Sequence, residues 1–317
     1  MRNKNKHNKR GFTLIELSIV ILIGAFISIL VYEAFYSFKE NRKYGNTMSR
    51  LDEIEDALLE FLSENGRLPC PASPLLSKDD SDYGKESFAI ENDDDDELAE
   101  CVLLEGMKVV ELENTAVYQG SVPIYTLNLQ GKDIADEYDN QLTYVVTRSY
   151  INSIDTNPNC DYADISDGSI DTDKTDEICF AAERGSVNSH SNTLKVYSSY
   201  DESASNNPVI DGIAYVLISY GEVGNGAFKK GATSLSDVRP GIEDTPVARY
   251  LNLGCKDNST CTEGEIKNDN TYVIKALDVE LKNFTDMVRF GQRNNIVIEC
   301  NRKYNSKCLQ DWGLDIR

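Results

Sequence analysis

The sequence predicts an α+β fold: a long N-terminal α-helix packed on a mainly antiparallel β domain with disulfide-stapled loops. Three observations predict it. Residues 12–32 form an apolar run in which Glu16 is the only formal charge, and helical periodicity continues beyond it. Short segments rich in Val, Ile, Thr and Tyr, bounded by Gly, Asn or Asp, are spread over the rest of the chain. The eight cysteines are an even number, and all of them follow the helix.

The helix comes first. The 21 residues of the apolar run make about 30 Å of helix, enough to cross a bilayer. Arg2, Lys4, Lys6, Lys9 and Arg10 precede it, whereas Lys39, Arg42 and Lys43 follow it mixed with Glu33 and Glu40. That asymmetry places the N-terminus in the cytoplasm and the bulk of the chain outside. A secretory signal peptide, the plain alternative, has a shorter apolar core of about 7–15 residues and a small-residue cleavage site. No A-x-A pattern follows this run.

Past the span, Met48, Leu51, Ile54, Leu58, Phe61 and Leu62 recur at helical spacing. Asp52, Glu53, Glu55, Asp56 and Glu60 fill the other face. Asn65-Gly66, then Pro69 and Pro71, supply the stop. One helix over 13–64 is about 80 Å long, with Gly24 and Gly45 as its weak points. Its amphipathic half needs an apolar partner, and a sheet from the rest of the chain is the expected one.

Strands are expected at 141–149, 193–199, 212–220, 271–277 and 296–300, with polar acidic loops between them. An acidic insertion rich in Asp, Ser and Asn falls around 150–193. Gly221, Gly224 and Gly226 match neither phosphate-loop spacing, so a tight turn needing positive φ is the better account. No internal repeat of fixed period is present.

Composition excludes several functions. A net charge of −21, from 53 acidic and 32 basic residues, argues against nucleic-acid binding, which relies on Lys and Arg at phosphates. Beyond the N-terminal segment the only histidine is His190, alone in a Ser/Asn-rich loop, so no nucleophile–base pair is in view and no enzyme is expected. There is no C-x-x-C pair for zinc. In an exported chain Cys70, Cys101, Cys160, Cys179, Cys255, Cys261, Cys300 and Cys308 suggest disulfides. About a hundred pairings are open to them. Loop-closure cost favours near neighbours: Cys70–Cys101, Cys160–Cys179, Cys255–Cys261 and Cys300–Cys308.

Arg10-Gly11-Phe12-Thr13-Leu14-Ile15-Glu16, set between cations and the apolar run, resembles the processing site of type IV prepilins and pseudopilins. The resemblance implies that a prepilin peptidase cuts after Gly11, that Phe12 is then N-methylated, and that the apolar segment becomes the core of a filament. It implies that Glu16 pairs with the terminal amine of a neighbouring subunit. Phe12 and Glu16 are also one helical turn apart, so pairing within one chain is an alternative, and snorkelling of Glu16 to the headgroups is another. Later stretches resemble the same group more weakly: N-G-R-L-P-C-P-A at 65–72, D-E-Y-D-N-Q-L-T-Y at 136–144, I-S-Y-G-E-V-G-N-G-A-F at 218–228 and F-T-D-M-V-R-F at 284–290. In the second, Tyr138 and Asp139 stand where the group's pattern has Trp and Gly. Pilins often carry a Pro in the membrane half; here none precedes Pro69. Some secretion pseudopilins bind calcium in a C-terminal loop. The acidic runs 92–97 and 161–177 do not fit EF-hand spacing. They read as solvated loops, with calcium on Asp164, Asp167, Asp171 and Asp173 as the alternative.

The resemblance implies a structural subunit, a minor pilin or pseudopilin; a major pilin or a tip-located adhesin is the alternative. Residues 1–11 are then a leader, 12–35 the transmembrane half of the helix, 36–65 its amphipathic half and 66–317 the globular domain. The implied partners are the prepilin peptidase, other pilin-like subunits through the helix, and an inner-membrane assembly platform. The implied location is the bacterial inner membrane, single-pass with the domain periplasmic, or the cell surface once in a pilus.

Overall fold

The computed structural model describes residues 13–93, 96–112, 115–129, 134–151, 194–197, 210–224, 226–239, 271–273 and 285–304. The chain divides into two compact units, Met1–Asn46 and Thr47–Arg317. Helix α1 is one continuous element, Leu14–Asn65. Gly24 and Gly45 lie in open space, and the roughly 1 kcal/mol that each costs relative to Ala does not interrupt it. In the first unit every side chain from 13 to 39 is exposed. In the second, α1 buries Leu51, Ile54, Ala57, Leu58, Leu59 and Leu62 on one face. The helix ends as its sequence dictates: Gly66 takes φ 66° and donates its N–H to the Leu62 carbonyl at 2.9 Å, a glycine C-cap.

Among the described residues there are nine strands. β1 (Phe88–Asp93) and β2 (Asp96–Cys101) form an antiparallel hairpin of their own. The main sheet runs β3 (Lys108–Leu112), β4 (Thr115–Ser121), β5 (Thr143–Thr147), β7 (Ile210–Ser219), β6 (Leu194–Tyr197), β8 (Thr271–Val273). β9 (Met287–Gln292) also pairs with β7. All pairings are antiparallel except β6 with β8. The expected strands at 141–149, 193–199, 212–220 and 271–277 are β5, β6, β7 and β8.

The expected strand at 296–300 is instead the middle of a helix, α2 (Arg293–Lys303). The β-branched run I-V-I-E-C invites the strand reading, but burial decides against it. Ile296 and Cys300 are buried while Ile298 is 65% exposed. A strand would put all three on one face, whereas a helix puts only the residues four apart together. Arg302 and Lys303 close α2, favourably placed for its dipole. The sequence pattern also hid β1 to β4 and β9. β1 and β2 carry acids that strands disfavour, and their pairing is local.

Alternation along the strands gives the sheet two apolar faces. Inward, Tyr118, Tyr144, Val146, Tyr215 and Leu217 meet the buried face of α1. Tyr144 donates its hydroxyl to the Pro69 carbonyl at 3.1 Å. Gly291 passes so close to the Tyr215 ring that a Cβ there would sit 2.2 Å from it. Outward, Val117, Val145, Val216 and Ile218 form a second cluster with Tyr220 and Ala227.

The junction after α1 is pinned twice. Cys70 is disulfide-bonded to Cys101, 31 residues on. Arg67 makes a bidentate pair with Glu86 at 2.8 and 2.9 Å, and its guanidinium lies over the Phe88 ring at 3.9 Å. The same Glu86 accepts the Cys70 N–H at 3.0 Å. Cys300 is also disulfide-bonded. Cys160, Cys179, Cys255, Cys261 and Cys308 lie outside the described residues, and with them the pairings expected there.

Polar contacts flank the packed face of α1. Arg50 binds the Ala135 carbonyl and the Thr47 hydroxyl accepts the Glu137 N–H at 3.3 Å. Asp52 pairs with Arg289 at 3.1 Å and Asp56 with Lys303. The Tyr215 hydroxyl donates to Glu55 at 3.2 Å. Burial raises the Glu55 carboxyl above its ordinary 4.5, against the Tyr215 bond and the charge of Arg289, while Asp52 and Asp56 act with burial. A carboxyl raised on folding favours the fold while protonated, and stability falls as pH climbs from about 4.5 through the folded value. Glu55→Gln still accepts from Tyr215. It is expected to raise the thermal midpoint at pH 7, with the gain over wild type gone below about pH 4; unfolding scans across that range check it.

Candidate functional site

The functional segment begins where α1 begins. Thr13 precedes the helix and Glu16 lies in its first turn. The Thr13 N–H and hydroxyl both donate to Glu16 Oε2 at 2.9 Å. The Glu16 N–H donates to Thr13 Oγ1 at 3.3 Å. This is a capping box: T-x-x-E fills the first-turn donors that a helix leaves open. The signature was in the sequence, inside the processing motif, and marks Thr13 as a residue that orients the Glu16 carboxylate. Both bonds from Thr13 fall on one oxygen, and a carboxylate has room for further donors.

Beyond the cap the helix is long and apolar enough to cross a membrane. Leu14, Leu17, Ile21, Phe26, Leu30 and Phe35 are each more than half exposed. The polar groups within the span are satisfied locally. Ser18 donates to the Ile15 carbonyl and Ser28 to the Gly24 carbonyl, both at 2.8 Å. From Leu14 to Tyr32 the helix therefore presents a continuous apolar surface whose one formal charge is Glu16, held at its end.

Gly11 and Phe12, the expected cleavage and methylation residues, lie outside the described residues. So do His190 and the calcium candidates Asp164, Asp167, Asp171 and Asp173. Among the described residues no group of three or more His, Cys, Asp or Glu is placed to hold a metal.

Three of the later motifs, at 136–144, 218–228 and 284–290, meet at one buried turn. Asp136 is 4% exposed and accepts from the N–H groups of Tyr138 and Asn140 at 2.9 Å and from the Ser219 hydroxyl at 2.6 Å. Burial nonetheless raises its carboxyl above the ordinary value, outweighing those donors. Asn140 donates to the Gly221 carbonyl at 2.7 Å and accepts from Arg239. Asp139 takes φ 62°, so it adopts the left-handed conformation that the pattern's Gly would supply; Asp tolerates it better than most. Gly221 and Gly224 both have φ 60°, and a Cβ on either would strike Thr285 or Asn140. The glycine run is a packed turn of positive φ. The role of Arg239, distant in sequence, carried no signal.

An exposed apolar helix led by a capped acid, joined to a disulfide-pinned α+β domain, has the length and composition of a membrane anchor carrying a folded domain. Residues 6–32 match the family described as the prokaryotic N-terminal methylation motif. That motif is the prepilin-type cleavage and methylation segment of type IV pilins and pseudopilins, and it marks the chain as type IV pilin-like. It implies processing by prepilin peptidase and assembly with other pilin-like subunits. The family is structural rather than enzymatic. Searches of the curated proteins and of the solved structures found no significant match.

Thr13→Val keeps the shape of the side chain and removes the hydroxyl of the cap. The loss is expected to cost the first turn about 1 kcal/mol, seen as faster amide exchange at residues 14–17 of the micelle-bound chain, with Thr13→Ser close to wild type.

Proposed function

We propose that the chain is a minor pilin or pseudopilin. It is cut after Gly11, methylated on Phe12, held single-pass in the inner membrane with its domain outside, and drawn into a filament through α1. The observation that carries this reading is the exposed apolar half of α1 with Glu16 at its head. Such a surface is stable in lipid or against like helices, not in water. A carboxylate in that setting costs roughly 2.5–3.5 kcal/mol on insertion scales, so a cationic partner is needed. The new α-amine of Phe12, with a reference pKa near 8, is charged at neutral pH and supplies one. Pairing with a neighbouring subunit's amine neutralises both groups and sets axial register.

Two variants test this. Gly11→Val puts a branched side chain at the cut and is expected to leave the leader attached, read by N-terminal sequencing of the membrane form. Glu16→Gln keeps the shape and removes the charge. It is expected to insert as wild type but fall out of sheared filaments, because an unpaired ammonium among packed helices costs several kcal/mol per subunit. Wild-type amounts of Glu16→Gln in filaments would sink the pairing mechanism. A mature terminus past Phe26 would show that an ordinary signal peptidase acts instead.

A further inference from the structure

The apolar run of α1 ends in a belt of aromatic and then basic residues, all in the first unit. Tyr32, Phe35 and Tyr36 come first, followed by Lys39, Arg42 and Lys43. Spacings of three and four residues put them on one face of the helix. The three aromatic side chains are exposed, and so are Lys39 and Arg42. Glu33 and Glu40 stand on a neighbouring stripe, and Glu40 pairs with Lys43 at 3.3 Å. Among the described residues no ion pair holds Lys39 or Arg42.

Length alone sets this belt at a membrane boundary. The run to Tyr32 fills about 30 Å, the thickness of the hydrocarbon core. The three cations begin roughly 10 to 17 Å further along the axis. Helical side chains lean toward the N-terminus, here back toward the bilayer. Lys and Arg stems are long enough to carry their charges from there to the headgroups. The aromatic rings suit the layer between, apolar in body and, in Tyr, polar at the tip. A soluble anion would meet the cations but not the rings. A second copy is disfavoured as the occupant, because chains of net charge −21 repel one another. Lipid surrounds the helix from the start.

We propose that this belt binds the headgroups of anionic phospholipids. Lys39 and Arg42 take the phosphate oxygens, Lys43 is shared with Glu40, and Tyr32, Phe35 and Tyr36 lie against the glycerol and upper acyl region. The inference rests on the membrane anchoring proposed above and adds the lipid class that the helix selects.

The test places the full chain in phosphatidylcholine vesicles with a trace of spin-labelled phosphatidylglycerol or spin-labelled phosphatidylcholine. Electron paramagnetic resonance reads how much of each labelled lipid the protein immobilises. Wild type is expected to hold phosphatidylglycerol at least threefold more strongly than phosphatidylcholine. The preference should fade in about 1 M salt, where the Debye length is about 3 Å. Lys39→Gln combined with Arg42→Gln should lose most of it, and Lys39→Arg combined with Arg42→Lys should keep it. The leader's cations act equally in every variant, so the difference between variants reads the belt. Immobilisation of neither lipid would mean that the apolar run is not in the bilayer, and the anchoring falls with the proposal. Immobilisation of both without preference, or a wild-type preference in the double Gln variant, leaves the anchoring standing and overturns the headgroup site. An unchanged preference with weaker energy transfer between donor- and acceptor-labelled copies of that variant assigns the cations to a second copy and overturns the lipid proposal.

Discussion

The second unit is organised around one apolar seam. Leu51, Ile54, Leu58 and Leu62 of α1 are buried together with Tyr118, Tyr144, Val146 and Leu217 of the sheet. Each such side chain contributes roughly 1.5–3 kcal/mol when fully buried. The flanking pairs Asp52–Arg289 and Asp56–Lys303 are surface contacts, and such pairs are worth about 1 kcal/mol or less. The seam therefore supplies most of the stability, and the charge pairs lie along its edge. The N-G-R-L-P-C-P stretch follows from that geometry. The chain must leave the helix end at once and turn into the domain, so Gly66 reverses it, Arg67 is held by Glu86, and Cys70 is tied to the hairpin strand that ends at Cys101.

The same helix obeys two different rules along its length. Up to residue 39 nothing on it is buried, and the apolar residues go all the way round. From Thr47 only one face is apolar, and the acids of the other face meet Arg289, Lys303 and Tyr215. The two patterns need no break between them, because neither Gly45 nor any proline interrupts the backbone ladder.

Legibility in the sequence followed the length scale of the signal. The helix was readable to within a residue at each end, because its periodicity runs over many turns and Asn65-Gly66 has one structural meaning. β5 to β8 were readable because each is a run of β-branched and aromatic residues with Gly or Asn beside it. What escaped depended on partners far along the chain. The 296–300 run has strand composition but is helical, since only Ile296 and Cys300 find cover. β1 and β2 are acidic strands that pair with each other, and Cys101 at the end of β2 is tied to Cys70. Glu16 is legible as the one charge in the apolar run 12–32, whereas the role of Thr13 as its orienting group depends on the cap geometry.

The capping box has a further consequence in terms of desolvation. A helix end is ordinarily the wettest part of a helix, because its first N–H groups have no carbonyl to meet and water serves them instead. In hydrocarbon each such unmet group costs several kcal/mol. Here the N–H groups of Thr13 and Glu16 are both met by side-chain oxygens of the same turn. The end of α1 brings its own substitute for the water it would lose. It can be withdrawn from an aqueous boundary into a bilayer, or among other apolar helices, without leaving those two donors unmatched.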